Sequence, residues 1–426
     1  MRETVRSGAL YLEAKKMLPG GVSSPVRAFD PYPIYVRSGK GAVITDVDGN
    51  DYIDYCMGFG PLILGHARPE VMDALRMQLD RGTLYGTPIE KEVEMARLIT
   101  RFYPSMEMMR FVSSGTEATM HAIRVARGHT GRKKFVKIEG AFHGAHDSVL
   151  VKAGSGATTH SAPDSLGIPE EVTANTLLAP FNDLRSIERH FLENQGQVAA
   201  VILEPVIGNA GPILPDEGYL QGLRELTARH DVLLIFDEVI TGFRLAMGGA
   251  QQHYGVRPDM TVLGKIAGGG LPIGIFGASR EIMSNVSPVG KVYQAGTFSG
   301  NPLSLTAGIE TIRLLEREGH AELAHKGERM RQGLQSIVNE LHSGFQVVGL
   351  GSMFQLFLTD CAVRNYTDAK RCDSILFMDL FHKLLERGVY LPPSQYETNF
   401  LSTAHSEAQI DRTLDLFAEA LSEVLG

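Results

Sequence analysis

Between residues 60 and 315 short apolar runs alternate with amphipathic stretches. MRFVSS, FVKIEG, AAVILEP, VLLIFDEV and MTVLGK are rich in β-formers and almost continuously apolar. A strand with one wet face alternates polar and apolar residues, whereas a strand covered on both faces does not. These runs therefore predict a mostly parallel sheet buried between helices. Stretches 116–129 and 220–230 carry helical spacing and fall between the runs. The alternating order predicts an α/β large domain over 61–315, its sheet flanked by helices. Ahead of it, residues 1–60 read as an amphipathic helix stopped by Pro19-Gly20-Gly21 and short strands over 34–55 around Asp48-Gly49-Asn50. This N-terminal segment is expected to pack with the C-terminal unit. Over 316–426 a long charged helix, AELAHKGERMRQGLQSIVNELH, precedes strand-like FQVVGLGSMFQLFL, a further helix, a short apolar stretch and a last helix. That pattern predicts a smaller α+β C-terminal domain. No internal repeat, low-complexity segment or flexible linker interrupts the chain.

Composition narrows the function classes. A chain of 426 residues is too long for one hydrophobic core and long enough for two packed units. The net charge of −8 disfavours a nucleic-acid partner, because phosphate binding needs a basic footprint. No apolar run reaches the roughly 18 residues that span a bilayer, and the start lacks a signal-type apolar core. Cys56, Cys361 and Cys372 form no metal-type pair and leave one over, which suits a reducing compartment. A cytoplasmic protein without membrane or nucleic-acid partners is expected.

Four polar features stand where ligands bind in open α/β sheets, beyond the carboxyl ends of strands. Ser113-Ser114-Gly115-Thr116-Glu117 follows MRFV at a helix start, where free amides and the helix dipole suit a phosphate; an ordinary N-cap reads the same way. Gly140-Ala141-Phe142-His143-Gly144 offers an aromatic between glycines that can lie on a planar ligand, or a core Phe in a tight turn. Asp237-Glu238 ends VLLIF, where a carboxylate is costly to bury unless paired; a solvated carboxylate or a magnesium ligand is the alternative. Lys265 ends MTVLG and precedes a glycine-rich stretch. Desolvation there would lower its pKa and make the amine nucleophilic, whereas a turn lysine would stay in water. No metal site is expected. His143 and His146 lack a third zinc ligand nearby, and the calcium-like run at Asp48 has Met57 where a bidentate Glu should stand. Taken together, a nucleophilic lysine, a carboxylate for a ring nitrogen, a phosphate cup and a stacking aromatic are what pyridoxal phosphate requires.

On these residues the chain resembles the class III aminotransferases, which have the pyridoxal-phosphate-dependent transferase fold type I. FDEVITGFR and LGKIAGGGLPIG are class-wide, the SGTEATM stretch adds to them, and the resemblance covers nearly the whole chain. YQAGTFSGNPL (293–303) belongs to the same resemblance, and PGGVSSPVRAF (19–29), VKAGSG (151–156) and the SQYE region of PPSQYE (392–397) point within the class to aminomutases. The resemblance implies that Lys265 carries the cofactor and transfers protons. Asp237 would pair with the ring nitrogen, Val239 would pack on the ring, and Ser114, Gly115 and Thr116 would hold the phosphate. Thr297 would complete that phosphate site from the neighbouring subunit of a homodimer with shared active sites. Phe142 would stack on the ring with His143 beside it, and Asn209 would bond near the ring oxygen. Ser24 and Arg27 would bind the substrate carboxylate, Glu397 would line its pocket, and Ser155 would lie on a mobile loop over the site. Phe142 replaces a tyrosine common in the family, Ser113 an asparagine, and Phe59 a tryptophan; His160 and Ser161 stand where Leu-Gly is usual. These departures bear on pocket shape and lid closure.

The activity so implied is an internal amino transfer that turns glutamate 1-semialdehyde into 5-aminolevulinate, for porphyrin synthesis. The cofactor would cycle between pyridoxal and pyridoxamine phosphate, with no second substrate. A transient contact with glutamyl-tRNA reductase, which makes the semialdehyde, is also implied, although no docking motif is visible. The rivals are an acceptor-dependent transaminase of ω- or β-amino acids and a catalytically dead binding protein; an intact Lys265 argues against the second.

Overall fold

The computed structural model describes residues 3–151 and 165–426. Strands β1 (Val36–Lys40), β2 (Val43–Asp46) and β3 (Asp51–Asp54) form an antiparallel meander, with Asp48-Gly49-Asn50 between the last two. The preceding helix, Val5–Ala14, ends short of Pro19, and Pro19–Gly21 forms a separate 3-10 turn.

The central sheet contains β4 (Met108–Val112), β5 (Lys134–Ile138), β6 (Thr176–Ala179), β7 (Val198–Leu203), β8 (Leu233–Asp237), β9 (Met260–Gly264) and β10 (Gly274–Ala278). Their order across it is β4-β10-β9-β8-β7-β5-β6. The strands from β9 to β6 pair in parallel, and β10 runs antiparallel between β9 and β4. Every residue of β7, β9 and β10 is buried, as continuous apolar runs require. β6 and β10 were not among the runs that predicted the sheet. In β10 the sequence GIFGA has two glycines, weak strand formers, and pairing on both edges holds it in place. Because β4 and β9 both oppose β10, the carboxyl ends of β4, β5, β7, β8 and β9 share one edge. Ser113, Glu139, Glu204, Glu238 and Lys265 directly follow those ends.

The strand-like FQVVGLGSMFQLFL forms a hairpin: β11 (Gln346–Leu350) turns at Gly351-Ser352 into β12 (Met353–Phe357), with Leu350 opposite Met353. β13 (Val389–Tyr390) leaves the C-terminal unit and pairs in parallel with β3, Val389 opposite Ile53. β14 (Asn399–Phe400) completes the sheet of β11 and β12. One apolar core joins Tyr55, Met95, Phe243 and Leu263 to Phe354, Phe381 and Phe417, and helix Pro302–Glu318 runs through the division expected at 315. Among the described residues no helix is long and apolar enough to cross a membrane.

Candidate active site

Lys265 follows β9 and opens a 3-10 turn, Lys265–Gly268. Its Nζ donates to the carbonyl oxygen of Phe59 at 2.7 Å. Lys265 (φ +45°) and Phe59 (φ +65°) both adopt left-handed backbone. Non-glycine residues enter that region at a cost, and such strain concentrates at functional sites. Burial lowers the pKa of the Lys265 amine. Arg244 pushes the same way, against the opposing charges of Glu397, Glu204 and Asp237. A larger share of neutral, nucleophilic amine at neutral pH results.

Asp237, at the end of β8, is buried. Its Oδ2 lies 2.7 Å from Nδ1 of His143, and its Oδ1 accepts from the Val239 amide at 3.1 Å. A carboxylate only accepts, so Nδ1 carries the proton. The other imidazole nitrogen, Nε2, is buried without a hydrogen-bond partner among the described residues. The Val239 side chain packs between the start of the helix after β4 and the end of β9. A Cβ at Gly115 or Gly264 would come within 3.3 Å of its methyls.

That helix, Gly115–Thr130, is capped by the Ser114 hydroxyl, which accepts from the Glu117 amide at 3.2 Å. The Glu117 carboxylate in turn accepts from the Ser113 amide at 2.9 Å. The Gly115 and Thr116 amides, in the first turn, have no acceptor within the helix and sit at its positive end. The loop bearing Phe142 and His143 is tied to the same turn. Thr116 Oγ1 accepts from the Ala145 amide at 3.3 Å, and Thr119 Oγ1 donates to the His143 carbonyl at 2.5 Å. Gly144 (φ +93°) allows this approach: a Cβ there would lie 2.5 Å from Thr116 Oγ1. Gly144→Ala is expected to cost about 2 kcal/mol in denaturant unfolding. It should also weaken cofactor binding about tenfold in fluorescence titration. Unchanged affinity would separate this loop from the binding site.

Glu204, buried after β7, was not singled out from the sequence. Its carboxylate accepts from the amides of Phe142 and Gly208, each at 2.9 Å, and from Asn209 Nδ2 at 3.1 and 3.0 Å. One side chain therefore holds both Phe142, whose ring is exposed, and Asn209. The signal was present, since Glu204 ends an apolar run just as Asp237 does. Burial raises the pKa of Glu204, and the Asp237 charge adds to that. The 208–211 segment is tied to the chain around Glu397: Gly211 donates to the Tyr396 carbonyl at 2.7 Å, and Thr398 Oγ1 to that of Gly208 at 2.8 Å. Glu397 is raised chiefly by burial, with Lys265 opposing and Glu204 reinforcing.

Ser24 precedes the 3-10 turn Pro25–Arg27, and Arg27 is exposed. Burial, with Cys56 and Asp54, raises the pKa of Tyr390, and the Arg27 charge opposes this. The Cys56 thiol is in turn influenced by Glu397 and Lys265. Thr297 stands on an exposed segment with Tyr293 and Phe298, which are 70% and 58% exposed. Ser155, His160 and Ser161 lie outside the described residues. Among the described residues no group of three or more His, Cys, Asp or Glu could hold a metal ion.

The donor set fits pyridoxal phosphate. A depressed amine, a buried carboxylate, first-turn helix amides and an exposed aromatic ring gather at one sheet edge. The Asp237–His143 pair supplies a fixed negative charge, held in place by one backbone amide and one imidazole.

The model for the family described as "Aminotransferase class-III" matches residues 26–424. Glutamate-1-semialdehyde 2,1-aminomutase of Methanococcoides burtonii is 57% identical over 97% of this chain and 98% of its own length. Among solved structures, an omega-transaminase from Sphaerobacter thermophilus superposes with a TM-score of 0.94 at 34% identity, covering 99% of this chain and 98% of that one. A glutamate-1-semialdehyde aminomutase from Pseudomonas aeruginosa has a TM-score of 0.89 at 28% identity, covering 99% and 95%.

Proposed function

The chain belongs to the class III aminotransferase family, and from that premise we propose that it converts glutamate 1-semialdehyde to 5-aminolevulinate by intramolecular amino transfer. It is a pyridoxal-phosphate-dependent isomerase with the transferase fold type I, in the route to tetrapyrroles. The observation that carries this reading is the 57% identity to a curated aminomutase across 97% of the chain. The omega-transaminase superposition, with its TM-score of 0.94, keeps an acceptor-dependent transaminase as the second reading.

Bound at this edge, pyridoxal or pyridoxamine phosphate supplies a carbonyl or amine that exchanges nitrogen with the substrate, and a ring that accepts electrons. The chain's own residues do the rest. Gly115 and Thr116 amides and the Ser114 and Thr116 hydroxyls hold the phosphate. Asp237, oriented by His143, would keep a proton on the ring nitrogen, while Phe142 and Val239 would pack on the ring and Asn209 would bond near its oxygen. Lys265 would anchor the group, and its free amine would move protons at the substrate carbons. Ser24 and Arg27 take the substrate carboxylate, for which a guanidinium offers bidentate geometry. Glu397 would line the pocket.

Thr297 reaches the phosphate of a second copy in a homodimer; exposed Tyr293 and Phe298 beside it support a partner there. A cytoplasmic location, a transient contact with glutamyl-tRNA reductase, and units divided near residues 60 and 315 belong to the same reading.

The test is to supply glutamate 1-semialdehyde without a keto acid and assay 5-aminolevulinate. Many turnovers per site are expected. Product that appears only when a keto acid is added would put the transaminase in its place.

A further inference from the structure

Arg244 lies on the loop after β8, seven residues past Asp237, and is only 2% exposed. Its Nε donates to the Ile240 carbonyl at 3.2 Å, its Nη1 to Ser352 Oγ at 3.1 Å, and its Nη2 to the Gly60 carbonyl. The guanidinium carbon sits 4.4 Å above the Phe400 ring. All these partners are neutral, and none of the ion pairs among the described residues includes Arg244. Buried charges are ordinarily paired, because leaving water costs them heavily. The cost shows in the guanidinium, whose pKa burial lowers to about 9. A lone charge at this depth is a poor way to stabilise a fold, since an apolar side chain would fill the volume without that penalty.

Its partners suggest what it does. Gly60 belongs to the turn after β3, Ser352 to the turn between β11 and β12, and Phe400 to β14. Arg244 therefore joins the central unit to the N-terminal segment and the C-terminal unit at one point. Gly60 directly follows Phe59, whose carbonyl accepts from Lys265 Nζ. That turn is strained, with Met57 and Phe59 both at positive φ; Asp54 holds its start by accepting from the Cys56 and Met57 amides, and Arg244 holds its end.

We propose that Arg244 is a positioning residue for Lys265: it clamps the Phe59–Gly60 turn so that the carbonyl holds the free amine, and it sets a positive charge against the carboxylates around that amine. This rests on the reading of Lys265 as the cofactor-bearing lysine. The charges that face Lys265 are Glu397, Glu204, Arg244 and Asp237, with the Cys56 thiol nearby. The three carboxylates favour a protonated amine, and Arg244 is the positive charge that opposes them. The guanidinium also helps burial to lower the pKa of His320, which donates to the Phe243 carbonyl.

The experiment follows capture of added pyridoxal phosphate by the cofactor-free full chain across pH, by visible absorption. Capture requires the neutral amine, so its midpoint reads the Lys265 titration independently of turnover. In R244Q the midpoint should move up, and capture near neutral pH should slow accordingly. R244K keeps the charge and loses the fork that reaches both Gly60 and Ser352. It should show the wild-type midpoint with reduced turnover of the loaded enzyme. A wild-type midpoint in folded R244Q overturns the proposal, as does an R244K midpoint displaced as far as that of R244Q. If R244Q does not accumulate folded, R244K decides: a wild-type midpoint with reduced turnover supports the proposal, and wild-type turnover overturns it. Wild-type capture by K265A would be a different failure, that of the Lys265 reading itself.

Discussion

Lys265→Ala is expected to abolish multiple turnover, by about a millionfold, and to remove the visible band of the lysine-bound cofactor in the same step. Two losses coincide because one amine both anchors the cofactor and moves the proton. Stability should change little. The Phe59 carbonyl loses its donor, worth about 1 kcal/mol, while a partly desolvated amine is removed, and the two effects oppose each other. The fold is checked by near-ultraviolet circular dichroism, turnover by 5-aminolevulinate assay, and the linkage by absorption. A folded variant that keeps the band would show that another amine carries the cofactor. A variant that loses the band but keeps turnover would separate the two roles.

The second large effect belongs to Asp237. Asp237→Asn keeps the shape and removes the charge, and turnover should fall about a thousandfold, the scale of losing one preorganised electrostatic contact. The fold should tolerate the change because of His143. In the wild type its Nδ1 donates to Asp237 Oδ2 at 2.7 Å, and its Nε2 is buried without a partner among the described residues. With an amide opposite, the proton can move to Nε2, leaving Nδ1 to accept from the NH2 group of the substituted side chain. Thermal unfolding with and without cofactor tests this. The expected outcome is a nearly unchanged melting temperature without cofactor, together with weaker cofactor binding. Wild-type kcat would remove Asp237 from the chemistry, and a large loss of stability without cofactor would mean that His143 cannot change tautomer.

Much of the site was legible because buried strands end abruptly. Asp237 after VLLIF and Lys265 after MTVLG are polar residues at apolar run ends, and only pairing or function keeps such residues there. Glu204 shows the same signal after AAVIL, but its use is invisible in the chain, because its partners Phe142, Gly208 and Asn209 lie on two loops. The strands β6 and β10 escaped for a different reason: a short run and a glycine-containing run have weak strand preference, which neighbours on both sides override in β10. The hairpin β11–β12 was hidden because both its arms are apolar and only Gly351-Ser352 divides them.

The amino-acid order by itself determined the class of architecture and the chemical kinds of group at the sheet edge. Both follow from local facts, the period of hydrophobicity and the residue that ends each run, and the motifs shared with class III aminotransferases rest on the same short stretches. Only the tertiary structure decided the state of those groups. The carbonyl that holds Lys265 comes from Phe59, 206 residues away, and β13 crosses from the C-terminal unit to lie beside β3. Arg244 is a charge whose neutral partners come from three sheet systems. An amine's basicity and a guanidinium's isolation depend on depth and on which distant charges arrive nearby. Those quantities are set by packing between segments, which no local pattern encodes.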